Sequence, residues 1–400
     1  MTALTPAPSL AQRAYTILTL NPWLWRHILL PLLATRMALL ATGWLAREFP
    51  IWPLYPVMVV HERGWLFSPY RLLDIWGRWD SSWYMDIALN GYSLLGDLDT
   101  VQSNVAFFPL FPYLVRAMLW FVPDRMQTGG VALLAGLLIN NTLLVAALIL
   151  LHRLVMEYYD DLALAQRTVL YILLYPMAFF FSAFYSESSF FFFAIATFYA
   201  AKRRAWGWAA ASAALLGATR PLGVLIVAPL AWMMVEAAGG RLRGLGREVL
   251  WLLITPLGLF AHLTHMYLLT GDFLAPMRVQ QAFFRGAATP WQTLLHPVNA
   301  GILMTQLEQA LTVLFLVGGV YACFRLPSAA YGLYTLSLVL PPLFTGTLTA
   351  VARYYMVAFP VFILLAASGR HPVIDRLLQT LFFAIQIVIM VAWSQFHFVA

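Results

Sequence analysis

Long apolar runs alternate with short polar turns along most of this chain. The runs fall at about His27–Ala46, Gly130–Leu151, Thr168–Tyr185, Ser188–Ala201, Ala205–Thr219, Pro221–Glu236, Glu248–Thr270, Gln306–Phe324, Ser328–Ala350, Tyr354–Ser368 and Leu377–Phe398. They are continuous and rich in Leu, Ala and Phe rather than alternating, so they predict helices and not strands. Many approach the roughly 20 residues that a helix needs to cross a bilayer. The pattern predicts an all-α polytopic membrane protein with about eleven transmembrane helices, read as a single domain over 1–400. Two long stretches interrupt it, an amphipathic one at about 47–129 and a second at about 271–305. Val105–Val122 is apolar enough to span, but it carries Arg116 and is broken by Pro109 and Pro112. It reads as a membrane-hugging element of the first loop.

Composition agrees with this picture. Hydrophobic residues make up 62% of the 400 and charged residues only 10%, against roughly 25% charged in soluble domains. Such a surface must face lipid. The net charge of +7 is almost wholly arginine, Lys202 being the one lysine. Because these charges sit in short loops, they read as topology signals and head-group contacts, not as a nucleic-acid surface. Arg153 with Arg167, Lys202-Arg203-Arg204, Arg241 with Arg243 and Arg247, and Arg370 with Arg376 form the expected cytoplasmic clusters. Both long loops, Tyr185–Ser188, Arg220 and Arg353 then fall on the opposite side. Cys323 has no partner for an internal disulfide, and Met1–Asn21 shows no removable signal peptide.

Ionisable groups among apolar runs are candidates for function, because burying them is costly. Arg78-Trp79-Asp80-Ser81-Ser82-Trp83-Tyr84-Met85-Asp86 is acidic and aromatic in an otherwise apolar chain. Asp80 could act as general base for a hydroxyl, or cap a helix that starts at Ser81. Asp86 lies about 600° further around such a helix, on a different face, which argues against a shared-proton pair if the segment is one helix. Glu187, in Tyr185-Ser186-Glu187-Ser188, could bind sugar hydroxyls or orient a cation, or simply mark a polar turn. Arg220 precedes Pro221 at a helix start, where guanidinium and dipole both suit phosphate, and Arg353 in Ala352-Arg353-Tyr354 is similar. Both could instead snorkel to head groups. His262 and His265 are spaced to share a helix face, better read as lining a polar cavity than as holding a metal. Asn140-Asn141 suits hydrogen bonds between helices.

Several segments together resemble the PIG-V family, the second mannosyltransferase of glycosylphosphatidylinositol synthesis and its prokaryotic relatives. They are Arg78-Trp79-Asp80…Ile87-Ala88…Gly91-Tyr92, Phe107-Phe108-Pro109-Leu110-Phe111-Pro112, Tyr175-Pro176-Met177-Ala178 with Phe181–Ser188, Ala218–Gly223 and Ala352-Arg353-Tyr354. The resemblance implies a membrane glycosyltransferase of the GT-C type, with a cytoplasmic N-terminus and an acidic base on a large external loop. It implies a polyprenyl-phosphate sugar donor, most simply mannose, and a lipid or glycolipid acceptor; the compact, arginine-rich, nearly lysine-free chain points to a prokaryotic inner membrane, and the basic clusters put the site on its outer face. Asp80 becomes the catalytic base, and Arg220 and Arg353 the donor-phosphate ligands. Arg78, Trp79, Trp83, Tyr84, Asp86, Tyr185, Glu187 and Tyr354 become substrate-binding candidates. Trp83 stands where eukaryotic members usually carry histidine, so the acceptor does not transfer. No cofactor is assigned; whether a divalent metal, which Glu187 or Asp86 could support, takes part is left open. The rival class is a transporter or flippase of a lipid-linked sugar.

Overall fold

The computed structural model describes residues 22–49, 66–297 and 302–399. Met1–Asn21, the segment read as lacking a signal peptide, lies outside them, as does part of each long loop. Among the described residues all regular structure is helical.

Five helices are long and apolar enough to cross a membrane: Pro22–Ala46, Gly129–Tyr159, Arg247–Thr270, Met304–Arg325 and Pro372–Ser394. The other expected runs also fold as helix, but in shorter pieces. Leu162–Leu174 is followed by a 3-10 turn at Ala178–Phe181, and Ala329–Val339 by one at Pro341–Phe344. Pro221–Ile226 is 3-10 helix that leads into Val227–Ala237. The expected eleven spans therefore appear as five long helices and a set of broken ones. Breaks at membrane depth are tolerated only where protein satisfies the freed backbone groups. Here the side chains do so. Asn140, midway along Gly129–Tyr159, donates to the carbonyls of Ala183 (2.5 Å) and Tyr185 (2.9 Å). Asn141 accepts from Ser182 (2.8 Å), and Arg36 donates to Ser182 Oγ (2.7 Å) and to the Ala178 carbonyl (3.0 Å). The Asn pair thus does bond between elements, and its purpose is to hold the 178–186 turn.

Among its described residues the first loop carries three short α-helices, Arg71–Asp74, Ser81–Leu89 and Leu110–Leu119. Leu110–Leu119 has 10 residues, a rise of about 15 Å, half the roughly 30 Å hydrocarbon core. It does not cross by itself. The second loop docks on the first. Arg278 pairs with Asp99 and Asp272, Gln102 donates to the Ala282 carbonyl (3.1 Å), and Val105, Met266, Ala275 and Val279 form a small core of their own. The basic clusters gather elsewhere. Arg203 pairs with Glu157 and Arg370 with Asp161, both at the far end of Gly129–Tyr159 from the first loop.

Small residues let the middle helices approach closely, which is how helices associate where no water drives them together. Trp206–Gly217 presents Ala209, Ala210, Ala213 and Gly217 inward. A side chain at Gly258 would collide with the Ala214 carbonyl of that helix.

Candidate functional site

Asp80 stands at the N-cap position of Ser81–Leu89, yet its carboxylate makes no cap hydrogen bond. The cap reading and the functional reading therefore separate: the position is a helix start, and the side chain is used elsewhere. The preceding residue, Trp79, has φ 52°, a left-handed backbone that a bulky residue adopts only at a cost of about 1–2 kcal/mol. Its indole donates to the His397 carbonyl (3.1 Å) and its ring meets Phe398 edge-on. Those contacts hold the strained turn. The Asp80 backbone N–H donates to Tyr185 Oη (3.1 Å), and that hydroxyl donates to the Arg78 carbonyl (2.9 Å).

The carboxylate so aimed meets Arg353, whose Nη1 and Nη2 each lie 3.2 Å from Asp80 Oδ2. Arg353 Nε lies 3.2 Å from Glu187 Oε1. The same Glu187 oxygen accepts from Arg220 Nη2, and Arg220 Nε donates to Ser186 Oγ (3.1 Å). Ser186 in turn shares a hydrogen with Tyr84 Oη (3.0 Å). One chain of contacts thus joins Tyr84, Arg220, Glu187, Arg353 and Asp80. Aromatic faces surround it. The Arg353 guanidinium lies 4.8 Å from the Tyr185 ring, 5.3 Å from Phe180 and 5.6 Å from Tyr354, and Arg220 lies 5.1 Å from Tyr354.

Burial grades the cluster. Glu187 is fully buried and Arg353 nearly so, whereas the Asp80 side chain is 24% exposed and Arg220 12%. Glu187 is the fixed anchor of two arginines; Asp80 is the acid of the cluster that reaches solvent. Burial by itself would lower the Arg353 pKa, but the carboxylates of Glu187 and Asp80 outweigh it and hold the guanidinium well above its ordinary value. Burial pushes the Tyr84 phenol up to about 12, so it serves as a neutral hydrogen-bonding group.

Local sequence explains how the arginines arrive. Thr219 Oγ1 donates to the Leu216 carbonyl (2.6 Å), closing the Trp206–Gly217 helix, and Pro221 starts the next one. Gly223 lies against the Leu216 backbone so closely that any side chain would collide. This return sets Arg220 at the junction. Arg353 sits on a short helix, Val351–Tyr355, behind Ala350, which has φ 72°. The Ala350 N–H donates to the carboxylate of buried Glu308 (2.8 Å). Strain therefore precedes both Asp80 and Arg353, as is common where a site fixes its groups.

Other candidates lie outside the chain of contacts. Arg78 is fully buried: Nη1 donates to the carbonyls of Asp74 (2.5 Å) and Gly77 (2.6 Å) and pairs with Asp74 Oδ2 (2.8 Å), under the Phe396 ring. It holds the loop from a fully buried position. Asp86 accepts from Asn90 (2.8 Å) and Asn104 (2.6 Å) and ties the helix end to the loop that follows. Trp83 stacks with Phe107 at 6.0 Å and meets Phe283 of the second loop at 6.2 Å. His262 and His265 pack on Tyr92, and His262 also on Phe108. Among the described residues no three of His, Cys, Asp or Glu cluster as metal ligands. Glu187 and Asp86 are instead engaged by arginines and asparagines.

Residues 69–240 match the family model for mannosyltransferase (PIG-V). The matched PIG-V segment contains Asp80, Glu187 and Arg220; Arg353 lies outside it and is brought in by the fold. No curated protein matches the chain by sequence. Among solved structures, the oligosaccharyltransferase of Archaeoglobus fulgidus tethered to an acceptor peptide is similar with TM-score 0.48 and 14% identity, over 90% of this chain and 55% of that one. The same organism's oligosaccharyltransferase AglB, in complex with an inhibitory peptide and a dolichol-phosphate, gives TM-score 0.45 and 14% identity, over 90% and 56%. The chain thus spans about half the length of those enzymes. The PIG-V match supports a membrane glycosyltransferase.

Two groups escaped the reading of the sequence. Glu308 carried a signal, an acid inside an apolar run. Arg285, whose Nη2 donates to Tyr354 Oη (2.9 Å), carried none: it is one arginine in a long polar loop.

Proposed function

We propose that this protein is an inverting GT-C-type glycosyltransferase, acting as a single integral membrane domain. It moves a hexose, most simply mannose, from a polyprenyl-phosphate donor to a hydroxyl of a lipid-linked acceptor, at the outer face of a prokaryotic inner membrane. The observation that carries the reading is the linkage of an accessible carboxylate, Asp80, to Arg353 and, through Glu187, to Arg220. A glycosyl transfer from a lipid phosphate needs a base for the acceptor and cations for the leaving group, and this cluster supplies both.

In the reaction the acceptor oxygen attacks C1 of the sugar while Asp80 takes its proton. The C1–O bond to phosphate breaks with its electron pair going to the phosphate. Attack by one nucleophile opposite the leaving group inverts C1, through an oxocarbenium-like transition state. The four groups joined by ion pairs, Asp80, Glu187, Arg220 and Arg353, sum to zero formal charge. Protonating Asp80 leaves them at +1 as the departing phosphate gains a negative charge. Stabilisation thus grows where charge develops, which lowers the barrier and not merely the ground state. The donor phosphate takes over the Arg353 nitrogens that rest on Asp80, freeing that carboxylate for the acceptor. A phosphate leaving group needs no general acid.

Purified protein in liposomes, given radiolabelled polyprenyl-phosphate mannose and membrane lipids, is expected to form a labelled glycolipid. Label that only crosses the bilayer would instead establish transport and defeat this reading.

A further inference from the structure

We propose that Arg285, carried by the second loop, and the Tyr354 hydroxyl complete the donor-phosphate site, so that this loop forms one wall of it. The assignment rests on the glycosyltransferase reading above and adds a ligand from a separate part of the chain.

Three guanidiniums converge on Tyr354. Arg220 and Arg353 lie against its ring at 5.1 and 5.6 Å, and Arg285 donates to its hydroxyl at 2.9 Å. Charge gives the reason for the third. The ion-paired groups Asp80, Glu187, Arg220 and Arg353 cancel one another, whereas a polyprenyl-phosphate sugar brings one negative charge. Arg285 donates to Gln280 Oε1 (2.7 Å) and Tyr354 Oη (2.9 Å), and among the described residues it pairs with no carboxylate. It supplies the matching charge. The Tyr354 oxygen accepts from Arg285, which leaves its own O–H to donate to a phosphate oxygen.

The loop is built to hold this arginine. The Gly286 and Ala288 N–H groups donate to the carbonyls of Thr345 (3.0 Å) and Phe344 (3.1 Å), just ahead of the Arg353 helix. Gly346 N–H donates to Thr293 Oγ1 (3.1 Å). Two residues before Arg285, Phe283 meets Trp83 (6.2 Å) and Phe107 (5.9 Å), so the wall reaches the helix that carries Asp80.

The test is calorimetric binding of polyprenyl monophosphate to the full purified chain. Arg285→Ala should weaken binding about 10- to 100-fold, the range of a charge-assisted hydrogen bond. Arg285→Lys should recover part of it, because lysine keeps the charge but not the planar fork. Arg278→Ala, which breaks the exposed loop pairs with Asp99 and Asp272, should bind like the parent. Thermal unfolding of each variant checks the fold. If Arg285→Ala binds as tightly as the parent while Arg220→Ala binds weakly, Arg285 is not a phosphate ligand and the reading above stands. If Arg278→Ala loses as much as Arg285→Ala, the loop matters only as structure and the assignment fails. A parent that binds no polyprenyl monophosphate, or binds inorganic phosphate equally well, overturns both readings.

Discussion

Two ion pairs start from carboxylates in one short stretch of this chain, Asp74 and Asp80, and they are built differently. Asp74–Arg78 is closed. Asp74 Oδ1 accepts from the N–H groups of Leu66, Phe67 and Ser68 at 2.8–3.1 Å, its other oxygen pairs with Arg78 at 2.8 Å, and both side chains are fully buried. Burial lowers the Arg78 pKa to about 10, so it stays charged at neutral pH. Asp80–Arg353 is open. Its contacts are 3.2 Å long, one Asp80 oxygen takes both of them, and the carboxylate reaches solvent. A pair sealed from solvent, its carboxylate held by three backbone N–H groups, holds a loop together. A pair with a spare oxygen and a shared guanidinium can exchange partners, which is what a base beside a phosphate site has to do.

The largest effect is expected at the open pair. Asp80→Asn should cut transfer by about 10²- to 10⁴-fold, the usual contribution of a general base. It should also tighten binding of polyprenyl phosphate, because the carboxylate that competes for Arg353 is gone. Weaker binding in this variant would sink the exchange of partners, and near-normal turnover would sink Asp80 as the base.

The closed pair should fail differently. Arg78→Ala leaves the buried Asp74 carboxylate without its paired cation, at a cost of about 3–5 kcal/mol. Thermal or denaturant unfolding should show the loss, and protein that still folds should transfer sugar at a rate close to the parent. A variant of full stability and no activity would return Arg78 to the substrate site.

Glu187 tests the boundary between the two kinds. It is as buried as Asp74, yet it anchors both arginines of the open cluster. Glu187→Gln should lower stability by about 1–3 kcal/mol and raise the donor KM. A change in stability with an unmoved donor KM would place Glu187 with the structural pair. The smallest effect is expected at Asp86. Asp86→Ala removes the bonds from Asn90 and Asn104 and should cost about 1 kcal/mol, with transfer changed only a few-fold. A loss as deep as that of Asp80→Asn would show that Asp86 takes part in the chemistry.

The pattern of apolar runs was enough to read a helical membrane protein with two long loops, because a helix's length and its lipid-facing composition are local properties. The same pattern could not say where helices break. Leu174 and Phe181 lie in one apolar run, and the break between them is tolerated because Gln386 donates to the carbonyls of Leu173 and Tyr175 and Arg36 to that of Ala178. Asp80, Glu187, Arg220 and Arg353 were legible one by one, since a charge among apolar residues is costly and therefore conspicuous.

Their roles relative to one another were not legible. Arg78 and Asp80 are two residues apart and of similar conspicuousness, yet one faces the core and the other the site, because the left-handed turn at Trp79 sends them apart. Arg285 is inconspicuous in its loop and enters only because the 286–288 backbone pairs with the 344–345 carbonyls. Sequence alone determined the class of protein, the charges it keeps among apolar residues and its likeness to PIG-V enzymes, all of which depend on composition and near neighbours. Tertiary structure decided which charges meet. A contact such as Asp80–Arg353 joins residues 273 positions apart, and only the packing of the helices between them sets that distance.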